Sequence, residues 1–205
     1  MNENKARERG SDHYNSLYSK SKVYTKSPED IGPYFPLWSA AADIISEMEG
    51  GVVVDLGCGP GHFPRLLLDR AILGSKIRRY FGYDFSKVSL RMATNLVGNN
   101  QLCGFYEQDL LTYDFSNSKP KDSIYVSFEF LEHIYDDISV ISKIPFSSKI
   151  CFSVPSFNAT GHVRYFNSKE DVISRYSDYI LIEDIKEILV HGGPNKIYLF
   201  QGTKK

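Results

Sequence analysis

Three glycines in the segment 57–61 have the spacing of a loop that holds a ligand against bare main chain. The stretch GCGPG carries Gly57, Gly59 and Gly61 directly after the apolar run VVVDL, and a leucine-rich segment follows. Glycines let the backbone approach a ligand without a Cβ atom in the way, and a helix beginning there presents free N–H groups. The spacing G-x-G-x-G differs from the dinucleotide fingerprint G-x-G-x-x-G, and no Gly-Lys-Ser/Thr follows as in a phosphate-binding loop. We therefore expect a nucleoside ligand without a bulky pyrophosphate.

Two aspartates stand at strand ends near this loop. Asp55 lies in the apolar run before the glycines, and Asp84 ends the next strand-like run. A carboxylate at the second position can accept hydrogen bonds from both hydroxyls of a ribose. Asp55 has a second interpretation as a residue that orders its own loop, because aspartate side chains often bond the backbone of a turn.

His133 is the candidate general base. It lies in FLEHIYDD after the fourth predicted strand, and imidazole titrates near neutral pH. An equally weighted interpretation is that the Glu-His pair caps the following helix and lines the pocket. The residues alone leave both interpretations open.

Strand and helix patterns alternate along the chain and must position these residues. Strands are predicted at 52–56, 79–83, 103–108, 123–128, 149–154, 179–190 and 196–202. One helix is predicted to end near residue 48. Four more helices are predicted, at 63–73, 86–96 with Ser86 as the cap, 132–142 and 169–176. The stretch HGGPN is typical of a hairpin turn. This order predicts an α/β fold with a doubly wound, mostly parallel seven-stranded sheet, a C-terminal antiparallel hairpin and helices on both faces. Ligands of such sheets bind beyond the carboxyl ends of the strands.

Size and composition narrow the class of protein. A chain of 205 residues fits one ordinary domain, and its formal net charge of −1 gives no general attraction to nucleic acid or to an anionic membrane. No apolar run approaches the about 18 residues of a membrane span, and the polar N-terminus lacks a secretory pattern, so we expect a cytoplasmic protein. The three cysteines lie far apart without ligand spacing, which predicts buried reduced thiols and no metal site.

The first 26 residues differ from the rest in being basic and without apolar periodicity. We expect 1–26 to be a mobile segment when the protein is empty and 27–205 to form one folded domain. Tyr14, Tyr18 and Tyr24 are spaced like neither a helix face nor a strand face.

Four blocks resemble the S-adenosylmethionine-dependent methyltransferases of the Rossmann-like class, in order and in spacing. They are VVDLGCGPG, GYDFS, YEQDLLTYDF and SFEFLEHIYDD. The likeness spans about 51–154, and the strand and helix order extends it to 205. The resemblance implies transfer of a methyl group from S-adenosylmethionine to an oxygen or nitrogen of a small molecule, with S-adenosylhomocysteine as the product.

The resemblance also implies a cofactor site. Residues 55–61 would surround the methionine portion, Asp84 would take the ribose hydroxyls, and Phe85 would flank the adenine. Asp109 and Leu110 would meet the adenine amino edge, and the chain around Phe128 would lie under the sulfonium. The implied cofactor residues are Asp55, Gly57, Cys58, Gly59, Pro60, Gly61, Asp84, Phe85, Ser86, Asp109, Leu110, Phe128 and Glu129.

Acceptor contacts are expected from three places. The loop VPSFNATGHVRYF resembles loops of methyltransferases that act on small metabolites, and it brings Asn158, His162, Arg164 and Tyr165. Arg164 suits a substrate carboxylate or phosphate, or alternatively a surface ion pair. Trp38 either forms a wall of the acceptor site with Tyr34 or belongs to the core. Tyr14, Tyr18 and Tyr24 belong either to a lid over the site or to an unstructured tail.

Two alternatives remain. One is an RNA or protein methyltransferase that uses the basic N-terminal segment, although the chain lacks the Asn/Asp-Pro-Pro-Tyr/Phe block and has 128–131 FEFL there instead. The other is a catalytically silent cofactor-binding subunit. We expect neither nucleic acid nor membrane as a partner, and the acceptor, the methylated element and the oligomeric state stay open.

Overall fold

Seven strands form one mixed sheet in the computed structural model, which describes residues 7–114, 122–190 and 193–205. The strands are β1 (Val52–Leu56), β2 (Arg79–Asp84), β3 (Cys103–Glu107), β4 (Ser123–Ser127), β5 (Lys149–Pro155), β6 (Ile180–Leu189) and β7 (Lys196–Lys204). Their order is β3-β2-β1-β4-β5-β7-β6. Strands β1 to β5 pair in parallel, whereas β7 is antiparallel to both β5 and β6. The predicted fold class is confirmed.

Helices join and cover these strands. They are α1 (Ser11–Lys20), α2 (Phe35–Glu47), α3 (His62–Asp69), α4 (Lys87–Leu96), α5 (Asp137–Ser142) and α6 (Lys169–Tyr176). Short 3-10 turns cover Lys22–Thr25, Glu29–Ile31 and Leu131–His133. None of the described helices is long and apolar enough to cross a membrane.

Alternating side chains of the central strands divide the core into two layers. Val52 and Val54 of β1 point to the face that α5 and α6 cover, whereas Val53 points to the face that α2 and α3 cover. Both faces of β1 are covered by these core layers, so each of its side chains is buried. An all-apolar run such as VVV is what a strand buried on both faces requires.

Most predicted boundaries hold within a few residues, and three elements differ. The predicted helix 132–142 divides into the 3-10 turn and α5, because Ile134 is extended and the Asp136 side chain accepts a hydrogen bond from the Ser139 N–H at the start of α5. Helix α3 ends at Asp69, and Ala71 has a positive φ of 54°. Helix α1 lies in the N-terminal segment, in which no helix was predicted.

Parts of two predictions lie outside the described residues. These parts are residues 1–6 of the N-terminal segment and 191–192 of the HGGPN turn. The pairing of β6 with β7 on either side of that turn establishes the predicted hairpin.

The strand order creates a cleft at the carboxyl edge of the sheet. Strands β2 and β3 lie on one side of β1, and the chain then crosses to β4 on its other side. The loops after β1 and β4 therefore leave toward opposite faces at the point where ligands of this architecture bind.

Candidate active site

The loop after β1 has a backbone that only glycine accommodates at two positions. Gly57 has φ of 83° and Gly61 has φ of 84°, both in the left-handed region. A Cβ atom at Gly57 would lie 2.6 Å from the Phe130 ring, and one at Gly61 would lie 2.7 Å from Ala93 of α4. The loop is thus packed between the chain after β4 and the helix α4.

Asp84 ties this loop to the start of α4. Its Oδ2 accepts a hydrogen bond of 3.0 Å from the Gly59 N–H, and its Oδ1 accepts one of 2.8 Å from the Ser86 N–H. The side chain is almost completely buried, and burial raises its pKa despite these hydrogen bonds. As an ionised carboxylate, Asp84 is an acceptor-only group, which suits a donor such as a ribose hydroxyl.

Asp55 bonds a neighbouring strand rather than its own loop. Its Oδ2 accepts a short hydrogen bond from the hydroxyl of Tyr80 on β2. Burial raises the pKa of Asp55 to about 7, the Tyr80 hydrogen bond lowers it in part, and the charge of Asp84 raises it. The alternative of a turn-ordering aspartate is replaced by a contact between strands.

A pocket of about 810 Å³ lies above the carboxyl ends of β1, β2 and β4. It is lined by residues that the sequence assigned to the cofactor, and by α1 and the residues before it. The assigned residues in its wall are Gly57, Asp84, Phe85, Asp109, Leu110 and Glu129. Asp109 is exposed, and its Oδ1 accepts a hydrogen bond of 2.9 Å from the Leu111 N–H. We call this space the cofactor pocket.

A second cavity of about 280 Å³ adjoins it on the side of α2 and is called the acceptor cavity below. Trp38 lines it and stacks on His62 with ring centroids 5.2 Å apart. Trp38 also packs against the core, as one interpretation predicted, whereas its role as an acceptor-site wall stays a prediction. Lining residues assigned from sequence are Tyr14, Tyr18, Tyr24, Asp55, Cys58, Gly59, Pro60, Phe128 and His162. Gly57, Glu129 and His133 line both spaces, so these residues mark the boundary between them.

The N-terminal segment covers this boundary. Tyr14 and Tyr18 lie four residues apart on one face of α1, which corrects the statement that their spacing fits no helix face. The Tyr14 ring centroid lies 5.5 Å from that of Phe85 and 6.0 Å from that of His133. Asn15 holds the helix in place, since its Oδ1 accepts a hydrogen bond of 2.8 Å from the Ser86 hydroxyl. Ser86 also caps α4, as predicted.

His133 ends the 3-10 turn after β4. Its Nδ1 lies 3.0 Å from the Gly161 carbonyl oxygen, and burial lowers its pKa. Asp136, and not His133, supplies the side-chain cap of α5. The helix-cap interpretation therefore belongs to a different residue, whereas the role of His133 as a base stays a prediction.

Three residues assigned to the acceptor do not line either space. Asn158 and Tyr165 are exposed. The Arg164 guanidinium donates to the carbonyl oxygens of Ile134 at 2.6 Å and Tyr135 at 2.7 Å and forms an ion pair with Asp137. Its donors hold the loop after β5 against the chain after β4, so neither the anion fork nor the surface ion pair describes it.

Sequence reasoning missed two buried polar residues at the site. His62 lines the acceptor cavity, and burial lowers its pKa to about 4. Glu132 is completely buried, and neither of its carboxylate oxygens has a hydrogen-bond partner among the described residues. The signal for Glu132 was its place beside His133 in a strand-end motif, where it was considered only as part of a capping pair.

The fold and the glycine loop with its acidic partner are typical of nucleoside-binding α/β proteins, and comparisons with known proteins narrow the class further. Residues 53–144 match the model of a methyltransferase domain family. A search of curated proteins finds no significant match.

Solved structures share the fold over nearly the whole chain. N-methyltransferase NodS from Bradyrhizobium japonicum WM9, bound to S-adenosylhomocysteine, superposes with a TM-score of 0.71 at 13% identity, over 96% of this chain and 99% of NodS. Magnesium protoporphyrin IX methyltransferase ChlM from Synechocystis PCC 6803, also with S-adenosylhomocysteine, gives 0.68 at 14% identity over 95% and 98%. A chain of the complex with the Haloferax volcanii Trm112 methyltransferase activator gives 0.73 at 16% identity over 94% and 96%.

Residues 53–144 therefore carry a methyltransferase domain, and the chain as a whole shares the fold of solved methyltransferases. The NodS and ChlM structures contain S-adenosylhomocysteine, which agrees with the cofactor that the resemblance of the four sequence blocks implies.

Proposed function

We propose that this enzyme transfers a methyl group from S-adenosylmethionine to an oxygen or nitrogen atom of a small molecule. The observation that carries the proposal is the acceptor cavity, which has about 280 Å³ and shares Gly57, Glu129 and His133 with the cofactor pocket. Small-molecule sites are concave and largely aromatic or apolar, with a few polar groups. Trp38, Tyr34 and the tyrosines of the N-terminal segment give the cavity that character.

The lining of the cofactor pocket supports the cofactor assignments. Asp84 accepts the ribose hydroxyls, and Phe85 lies against the adenine. The glycine loop takes the methionine portion, next to the acceptor cavity that Gly57 and Gly59 also line. Arg7 and Arg9 add positive charge to this pocket, which suits the carboxylate of the cofactor.

Methyl transfer from a sulfonium is an in-line displacement, so the protein mainly aligns the two reactants. The shared wall brings the methyl carbon to face an acceptor atom in the neighbouring cavity. Tyr14 and Tyr18 close this boundary from the side of α1, and in that position α1 acts as a lid that excludes water from the reacting centre.

The RNA- or protein-methylating alternative would need the N-terminal segment on the outside as a grip for a polymer. Residues 7–11 instead form part of the wall of the cofactor pocket, and Asn15 fixes α1 to the start of α4. This arrangement favours a small acceptor that is enclosed.

A turnover screen tests the proposal. The purified chain is incubated with S-adenosylmethionine and a panel of small hydroxyl and amine compounds, and release of S-adenosylhomocysteine is measured. We expect turnover with at least one compound and none with the Trp38→Ala variant if that ring forms the acceptor wall. Methyl incorporation into total RNA or protein, with no turnover on the panel, would favour the polymer alternative. Cofactor binding without turnover in any assay would indicate the silent subunit.

A further inference from the structure

Three side chains from two separate segments meet beside the boundary between cofactor pocket and acceptor cavity. Glu132 and His133 follow β4, and His162 lies in the loop after β5. Each offers one ligand atom, and these atoms all lie within 4.8 Å of one another. The Glu132 Oε1 is 3.9 Å from the His133 Nε2. Glu132 and His162 are buried, and His133 is mostly so.

The two imidazoles are held in the form that binds a metal ion. The Nδ1 of His133 lies 3.0 Å from the Gly161 carbonyl oxygen, and the Nδ1 of His162 lies 3.1 Å from the Phe157 carbonyl oxygen. A carbonyl only accepts, so each Nδ1 carries the proton and each Nε2 keeps a free lone pair. Hydrogen bonds of this kind orient histidine ligands in metal sites. Burial lowers the pKa of both rings, that of His162 to about 4, so both are neutral near pH 7.

The carboxylates beside these rings form no hydrogen bond with a cationic side chain among the described residues, and the charge of Arg164 lowers the pKa of Glu132 only in part. Both oxygens of Glu132 and the Oε1 of Glu129 are buried without a hydrogen-bond partner among the described residues. The guanidinium of Arg164 reaches this region, but it donates to main-chain carbonyls and Asp137. Burying an unpaired carboxylate is costly, and bound metal ions are one of the two common remedies. Burial raises the pKa of Glu132 to about 8, and burial with repulsion from Glu132 raises that of Glu129.

We propose that Glu132, His133 and His162 bind a divalent transition-metal ion, with Glu129 as a further carboxylate ligand. Two imidazole nitrogens and two carboxylates suit a first-row ion such as Mn²⁺, Co²⁺ or Zn²⁺. The sequence predicted no metal site, because its cysteines lack ligand spacing and His162 is far from Glu132 along the chain.

The position of the site suggests that the metal ion activates the acceptor, an inference that rests on the proposed function. Glu129 and His133 line both spaces, and His162 lines the acceptor cavity. An acceptor hydroxyl that binds the ion loses its proton to water more easily, because the metal lowers its pKa. The resulting oxygen forms a bond to the methyl carbon, and the C–S bond breaks with its electron pair passing to sulfur. His133 is then a ligand and not a base, and the acceptor is a hydroxyl compound.

Metal titration of the full chain tests the site without an acceptor. The protein is stripped with EDTA and titrated with MnCl₂, CoCl₂ and ZnCl₂ by calorimetry, and visible absorption of Co²⁺ reports on its ligands. We expect one ion per chain, and affinity at least about tenfold weaker in Glu132→Gln and in His162→Ala. Glu170→Gln, which changes an exposed carboxylate of α6 that lines neither space, serves as the control and should bind as the wild type does.

Two results would overturn the site. One is the absence of stoichiometric binding to the wild type, and the other is equal affinity in both ligand variants while circular dichroism shows them folded. If the ion binds but EDTA leaves turnover of a hydroxyl acceptor unchanged, the activating role is wrong. A bound ion with no small-molecule turnover would contradict the proposed function and leave the metal site intact.

Discussion

Two completely buried carboxylates lie close together in the chain and have opposite surroundings. Asp137 accepts hydrogen bonds from the Arg175 Nε and the Tyr176 hydroxyl, both at 2.9 Å, and forms an ion pair with Arg164 at 3.2 Å. Glu132 has no such partner among the described residues. The charge of Asp137 is therefore compensated by side chains of the protein. Glu132 lacks such compensation, so we expect its partner to be a bound ligand.

The Asp137 network holds separate elements together. Asp137 begins α5, Arg175 and Tyr176 end α6, and Arg164 belongs to the loop after β5. Arg164 also bonds the carbonyl oxygens after the 3-10 turn. This network fixes the loop that carries His162. It therefore stabilises the proposed metal site, although its residues line neither the cofactor pocket nor the acceptor cavity.

The variant Asp137→Ala has the largest expected effect on stability and tests the contribution of this network directly. This change leaves two guanidinium groups without their carboxylate, and we expect the free energy of unfolding to fall by about 3–5 kcal/mol, as for other broken buried ion pairs. Urea unfolding followed by circular dichroism measures it. Asp136→Ala is the matched control, because it removes only the cap of α5 and should cost about 1 kcal/mol. Equal losses in the two variants would show that the network contributes little.

Asp84 is an intermediate case, since it has partners and also faces the cofactor pocket. Asp84→Ala should weaken binding of S-adenosylhomocysteine by about 10- to 100-fold, because hydrogen bonds to a charged group contribute about 1.5–3 kcal/mol. Calorimetry measures the affinity, and circular dichroism checks that the fold is kept. Asp184→Ala, at an exposed position of β6, is the control. Unchanged affinity in Asp84→Ala would remove the ribose assignment.

The raised pKa of the buried Asp55 carboxyl makes the stability of the protein depend on pH. Its pKa is about 7 in the folded protein and is near 3.8 when unfolded, so the folded state holds the extra proton between these values. The stabilisation is complete below about pH 4 and is lost as pH rises to 7, with a slope of up to about 1.4 kcal/mol per pH unit. Asp55→Asn should flatten this part of the profile of unfolding free energy against pH. A variant with the wild-type slope would assign the effect to another group.

Glu132→Gln should have the smallest effect on stability. Replacing an unpartnered buried carboxylate by a neutral amide of the same shape is expected to leave the metal-free protein within about 1 kcal/mol of the wild type, or slightly more stable. Urea unfolding in EDTA measures this change beside Asp137→Ala. A loss comparable to that of Asp137→Ala would mean that Glu132 has a structural partner and would erase the contrast.

Local patterns predicted the sheet and much of the cofactor pocket. The run VVVDL, the glycine loop and the Ser86 cap are signals within a few residues of each other, and each was found where expected. The contacts that were missed join residues far apart in the chain. Asn15 with Ser86, Asp137 with Arg175, and Glu132 with His162 depend on how the strands bring their loops together.

The antiparallel course of β7 takes Lys205 away from the cofactor pocket. Thr203 of β7 pairs with Lys149 at the start of β5, so Lys205 leaves the sheet at the edge opposite the carboxyl ends of the parallel strands. Residues 7–11 instead border the cofactor pocket. An affinity handle joined after Lys205 would leave the entrance of that pocket clear. Recombinant preparations for the binding assays should therefore carry the handle at the carboxyl end.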